Sequence, residues 1–162
     1  MAVSQVVTYS LLAMIALSLF IIFLTSYIRG QQVLTDAEEY KQELQMDQLQ
    51  TKIYIKSVSI SQNFMYVTIT NNGSTNLYKF SEFSVIVKYY ANISNVSTLL
   101  VSEYNYSKSL SPYLWTTNSV LINPDNDATF IIDLPYPPYP NTLGTIIIAT
   151  NYGPEAIWRG IL

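Results

Sequence analysis

Neither cysteine nor histidine occurs anywhere in the 162 residues of this chain. The first absence excludes a disulfide scaffold, a thiolate metal site and a cysteine nucleophile, so the fold must be held by packing alone. The second removes the commonest general base and metal ligand. Charge is scarce as well: eight Lys plus Arg against eleven Asp plus Glu leave a net charge of −3. So few cations form no basic stripe, which argues against nucleic acid as a partner. Glu82, Glu103, Asp133 and Glu155 are scattered among strand-like and turn-like segments, with no adjacent base, nucleophile or glycine-rich cradle. No catalytic, cofactor or metal site is therefore expected, and the chain reads as a non-enzyme.

No ionisable side chain precedes Arg29, and Val6 to Ile28 form an apolar run interrupted only by Thr8, Ser10, Ser18, Thr25 and Ser26. At ~1.5 Å rise per residue such a helix reaches across a hydrocarbon core of ~30 Å. Hydroxyls at Ser10 and Ser18 can bond back along their own turns, so they are no obstacle to a span. A cleaved secretory signal would have a basic leader, a shorter apolar stretch and small residues at the cut, and none of these is seen. A soluble core helix rarely stays apolar for so long. Residues 1–30 are thus expected to be a transmembrane anchor in lipid.

Arg29 alone would hold its flank in the cytoplasm, but acidic residues follow it at Asp36, Glu38, Glu39, Glu43 and Asp47. Four N-x-S/T sequons, at Asn72, Asn92, Asn95 and Asn105, favour an exterior domain and are candidate N-glycosylation sites. Residues 31–51 read as a helical stalk. Thr35 and Glu38 suggest a capping box at its start, and Val33, Ala37, Tyr40 and Leu44 make a narrow apolar stripe.

From Lys52 the hydrophobic period becomes two-fold. Strands are expected at Ile53 to Ile60, Phe64 to Thr70, Tyr78 to Tyr90, Leu99 to Tyr106, Trp115 to Ile122, Ala128 to Leu134, Thr145 to Thr150 and Ile157 to Leu162. In the first, apolar positions slip from odd to even, which requires a bulge near Lys56 or Ser57. Asn71-Asn72-Gly73-Ser74 reads as a tight turn of residues that tolerate positive φ. Seven or eight short strands with turns about every ten residues predict one immunoglobulin-like β-sandwich over residues 52–162, behind a single N-terminal transmembrane helix.

In Phe83 to Tyr89, the residues Phe83, Val85, Val87 and Tyr89 share the core face, leaving Ser84, Ile86 and Lys88 on the other. Ile86, an aliphatic residue among polar strand neighbours, marks Ser84, Ile86 and Lys88 as a candidate interface for self-association, as in a homodimer. Asp125-Asn126-Asp127 lacks the Gly and distant Glu of a calcium loop and reads as a turn. Pro135-Tyr-Pro-Pro-Tyr-Pro140 reads as a stiff polyproline connection that also closes a sheet edge.

An anchor that starts at once, a short stalk, and a β domain containing Val67-Thr-Ile-Thr-Asn-Asn-Gly-Ser-Thr75 together resemble the F and G components of the archaellum, the rotary filament of motile archaea. Between the two, the F component (FlaF, also called ArlF) is favoured. The resemblance implies a stator. Its sandwich would lie between cytoplasmic membrane and surface layer, bind surface-layer protein, and meet a G-type partner and the motor ring. A type IV pilin or archaellin is the alternative. Those subunits are made with a basic leader, which Met1-Ala-Val-Ser-Gln-Val lacks; an already trimmed chain would erase that distinction. A metal-free surface binding module is the third reading.

Overall fold

The computed structural model describes residues 2–162. They divide into two compact units, Met1–Leu44 and Gln45–Leu162. Helix α1 runs from Ala2–Gln50 without interruption. It is long and apolar enough to cross a membrane. Its hydroxyls are satisfied inside the helix, as expected for Ser10 and Ser18: Ser10 donates to the Val7 carbonyl at 2.9 Å and Ser18 to Met14 at 2.6 Å. Thr25 does the same toward Ile21 at 2.7 Å. The expected capping box does not form, because Thr35 lies mid-helix and donates to the Gln31 carbonyl at 3.0 Å. With helical residues on both sides of it, no free N–H is left for Thr35 to cap.

The second unit is a two-layer sandwich of eight strands: β1 (Ile53–Ser61), β2 (Phe64–Asn71), β3 (Ser84–Ile93), β4 (Val96–Tyr106), β5 (Leu114–Thr117), β6 (Asp127–Asp133), β7 (Leu143–Ala149) and β8 (Glu155–Ile161). The spatial order is β1-β2-β6-β5-β4-β3-β7-β8. The two layers join where β4 and β5 pair in parallel over Asn105 and Tyr106, and β1 approaches β8 on the other side. The barrel is nearly closed.

Alternation along the strands fills the interior. Met65, Val67 and Ile69 face Phe130 and Ile132, while Val85, Val87, Tyr89, Ile146 and Ile148 come from the opposite layer. Trp115 stacks on Phe130 at 4.3 Å between ring centroids, and Phe80 meets both edge-on. Burial raises the Tyr89 phenol to about 12, and its hydroxyl donates to the Tyr136 carbonyl at 2.9 Å.

The bulge falls where the slipped periodicity put it, between Ile55 and Ser57. Other boundaries differ from those expected. Residues Tyr78 to Phe83 are not strand: a 3₁₀ turn at Phe80–Glu82 turns both Phe80 and Phe83 into the core. Strand β5 stops at Thr117, and Ile122 returns only as an isolated bridge to Leu77. Strands β3 and β4 run on past the expected ends at Tyr90 and Leu99, because Ser94 and Asn95 both adopt positive φ (52° and 63°) and close a two-residue hairpin. The proline segment closes the β3 edge as anticipated, with the Asn92 amide donating to Pro137 at 2.8 Å and the Tyr139 amide to Tyr90 at 2.7 Å.

The loop Asn71 to Thr75 clamps the end of α1. Ser74 donates its amide to the Gln50 carbonyl (2.8 Å) and Asn72 to Lys52 (2.7 Å). The first bond satisfies a carbonyl that the helix end leaves orphaned, and the second fastens the residue that leads into β1. Asn71, fully buried, orders the loop through Nδ2 bonds to the Thr75 and Ile122 carbonyls, and its Oδ1 accepts from the Gly73 amide. Thr51 Oγ1 gives its proton to Asp47 O at 2.7 Å, so Thr75 must be the donor in the 2.6 Å hydroxyl pair. Gly73 is required here for close approach and not for positive φ: a Cβ would overlap the Gln50 carbonyl and the Lys52 amide. Gly73→Ala is expected to cost ~1–3 kcal/mol by forcing the helix end away, measurable as a lowered thermal midpoint of the full chain in detergent.

Candidate functional site: the outer face of one sheet

Strands β4, β3, β7 and β8 present one face to the core and the other outward. On β3 the outward residues are Ser84, Ile86, Lys88 and Tyr90, as the two-residue period requires. Ile86 stands opposite Glu103 on β4 and Ile147 on β7. Lys88 stands opposite Val101 and Thr145, and Thr145 in turn opposite Arg159 on β8. Ser84 donates to Glu103 Oε1 at 2.9 Å, tying β3 to β4 at one end of the face.

The surroundings of Ile86 are less polar than its own strand suggests. A shallow groove is lined by Ile86, Lys88, Tyr90, Val101, Leu143, Thr145, Ile147 and Arg159. Val101 is 59% exposed, Leu143 67% and Ile157 50%. The three residues first singled out are thus brought together, but most of the apolar area comes from β4, β7 and β8. The signal for β7 lay in Ile146-Ile147-Ile148, a run apolar at both parities, which puts an aliphatic side chain on the outward face as well as the inward one. Neither Lys88 nor Arg159 forms an ion pair among the described residues, and Glu103 and Glu155 share the face with them.

The other layer holds a different cluster. Lys56 Nζ meets Asp127 Oδ2 at 2.6 Å, and Thr70 donates to Asp127 Oδ1 at 2.5 Å. The turn reading of Asp125 to Asp127 fits: the Asn126 amide bonds to Asn123, and the Asp127 carboxylate is taken up by its neighbours. Among the sequons, Asn72, Asn95 and Asn105 are exposed, whereas Asn92 is half-buried with its Oδ1 enclosed and unpartnered.

The family model for the conserved flagellar protein F, immunoglobulin-like domain, matches residues 49–160. The chain belongs to the FlaF family. This is a family of structural flagellar proteins and not of enzymes. Two solved structures share the FlaF-family sandwich. The archaellum periplasmic stator protein FlaG from Sulfolobus acidocaldarius is 23% identical, with a TM-score of 0.56 over 68% of this chain and 99% of that one. The periplasmic stator complex of FlaF and FlaG from the same organism is 22% identical, with a TM-score of 0.55 over 68% and 89%. The archaeal flagellum of Methanospirillum hungatei strain JF1 is 16% identical, with a TM-score of 0.60 over 94% of this chain and 92% of that one. No curated protein sequence matches the chain.

The charge pattern generates a pH expectation. Hydrogen bonds from Lys56 first, then Thr70, hold Asp127 below the usual carboxyl value, while burial pushes Asp133 up. The Asp127 contribution is present above the unfolded carboxyl pKa of ~3.9 and is lost as pH falls through its lower folded value. Asp133 acts in the opposite sense, since its protonation relieves a burial cost. The Lys56–Asp127 pair is well exposed, so its loss is small. The thermal midpoint is expected to fall by less than about 5 °C between pH 7 and about pH 3, as read by circular dichroism.

Proposed function

We propose that this FlaF-family chain is a membrane-anchored stator component of the archaellum motor. In this reading residues 1–30 are the anchor, residues 31–51 a helical stalk, and residues 52–162 a sandwich in the space between cytoplasmic membrane and surface layer. The sandwich contacts surface-layer protein, a G-type stator partner and the motor ring, and the chain works as a homodimer. Glycans on the exposed amides of Asn72, Asn95 and Asn105 fit an exterior domain, with Asn92 the poorest acceptor of the four sequons.

The observation that carries this reading is the apolar outer face around Ser84, Ile86 and Lys88. A stator must hold on to fixed material without doing chemistry. A stiff sandwich with a contiguous apolar face meets that need, because burying such a face supplies adhesion roughly in proportion to area. The long apolar helix supports lipid anchoring by length and composition. Scarce charge suits an acidic exterior, where carboxylates neutralise and salt bridges fail.

A second reading is a filament subunit, favoured by the likeness to the Methanospirillum hungatei flagellum, which spans helix and sandwich together. The two separate experimentally. The unit Gln45–Leu162, which keeps the clamped helix end, should co-pellet with isolated surface-layer sheets. Ile86→Lys should weaken that binding at least tenfold, about 1.4 kcal/mol, with an unchanged melting curve. Absence of binding, together with long filaments formed by the full chain on detergent removal, would establish the filament reading instead. Protease shaving of intact cells that spares the sandwich would refute the exterior placement.

A further inference from the structure

Between Arg29 and Leu44 the residues of α1 are sorted by face. The apolar ones are Val33, Leu34, Ala37, Tyr40 and Leu44. The spacing from Val33 through Ala37 and Tyr40 to Leu44 is that of a heptad seam, and Leu34 lies beside it. Written as heptads abcdefg, Gly30, Ala37 and Leu44 fall at a, and Val33 and Tyr40 at d. The b, c and f positions of the same stretch, Gln31, Gln32, Thr35, Glu38, Glu39 and Gln42, are all polar. A straight helix drifts by only about 20° per heptad against this repeat, so the seam stays on one face of the stalk. Nothing in the chain covers it: Val33 is 67% exposed and Tyr40 63%. The whole seam belongs to the unit Met1–Leu44.

We propose that this seam is an interface of its own, where the stalk helices of two copies pair in parallel as a short coiled coil. Two anchors inserted into one membrane in the same sense hold the helices parallel and in register. In a parallel pair each g residue faces the following e residue of the other helix. Asp36 stands at g and Lys41 at the next e, so each copy's Asp36 meets the other's Lys41 in two symmetric ion pairs. Arg29 at g faces the apolar Leu34, and Glu43 at g precedes the uncharged Gln48, so no like charges meet across the seam. Neither Asp36 nor Lys41 forms an ion pair within its own chain among the described residues. So short a seam would be too weak between free peptides. Here both helices are already confined to one membrane in one orientation, which removes much of the cost of association. Ser26 and Gly30 carry the seam to the membrane end of the stalk with small residues that let two backbones approach closely.

The inference rests on the stator reading only for the lipid anchor that fixes the orientation. Because the chain has no cysteine, single introduced cysteines report helix contact without background. In the full chain reconstituted into lipid vesicles, mild oxidation is expected to cross-link Val33→Cys, Ala37→Cys and Tyr40→Cys about tenfold faster than Gln32→Cys, Thr35→Cys and Gln42→Cys, since a disulfide forms only between closely apposed Cβ atoms. The same pattern is expected in an Ile86→Lys background, which alters the sandwich face and not the stalk. Lys41→Glu is expected to slow cross-linking through Ala37→Cys roughly threefold by turning the ion pairs into repulsions, and adding Asp36→Lys restores it by exchanging the signs. Cross-linking that is equal at all six positions, absent from all six, or lost in the Ile86→Lys background would overturn the seam as an interface. Washing with alkaline carbonate separates the two readings: chain retained in the vesicles with a flat cross-linking pattern refutes the seam alone, whereas chain released from them refutes the anchor and with it the parallel orientation.

Discussion

The sandwich depends on the aromatic cluster at its centre. With no covalent cross-link available, apolar burial does most of the holding, and the cross-layer part of it is where Phe83, leading into β3, meets Trp115 and Phe130, which stack on each other from neighbouring strands of the opposite layer. Its position has a topological consequence. Trp115 sits on the short strand β5, beside the parallel contact that joins the two sheets, so the largest buried side chain lies where the backbone ladder is thinnest. Side-chain packing there takes over from hydrogen bonding.

The division of each strand into an inner and an outer set explains both the core and the adhesive face. Val85, Val87 and Tyr89 could be assigned inward from one strand's alternation, and the bulge at Lys56 from a slip in parity, because both are local properties of the pleat. The proline segment's role was likewise readable, since a ring without an amide can only sit against an edge. What local pattern could not reveal was which strands lie beside β3. The company that Ile86 keeps comes from β4, β7 and β8, and strand order is decided by long-range packing that no period encodes.

Gly73 and Thr35 make the same point for boundaries. A sequence rich in Asn, Gly and Ser reads as a turn with positive φ, yet the chain uses Gly73 for its missing Cβ, beneath a helix end more than twenty residues earlier. Thr35 resembles a cap by its spacing to Glu38, but a cap exists only where a helix begins. Both residues behave ordinarily. Their context is set by the uninterrupted run of α1 and by the loop that closes over it.

The proline segment bears on assembly as well as on the fold. By occupying the far side of β3 it satisfies one border of that strand, while among the described residues the border of β4 from Val96 to Glu103, and the gap where β1 and β8 approach without pairing, stay open. Any extended segment brought to the sheet therefore meets free donors and acceptors along β4 and none along the far side of β3, where Pro137 and Tyr139 already use them.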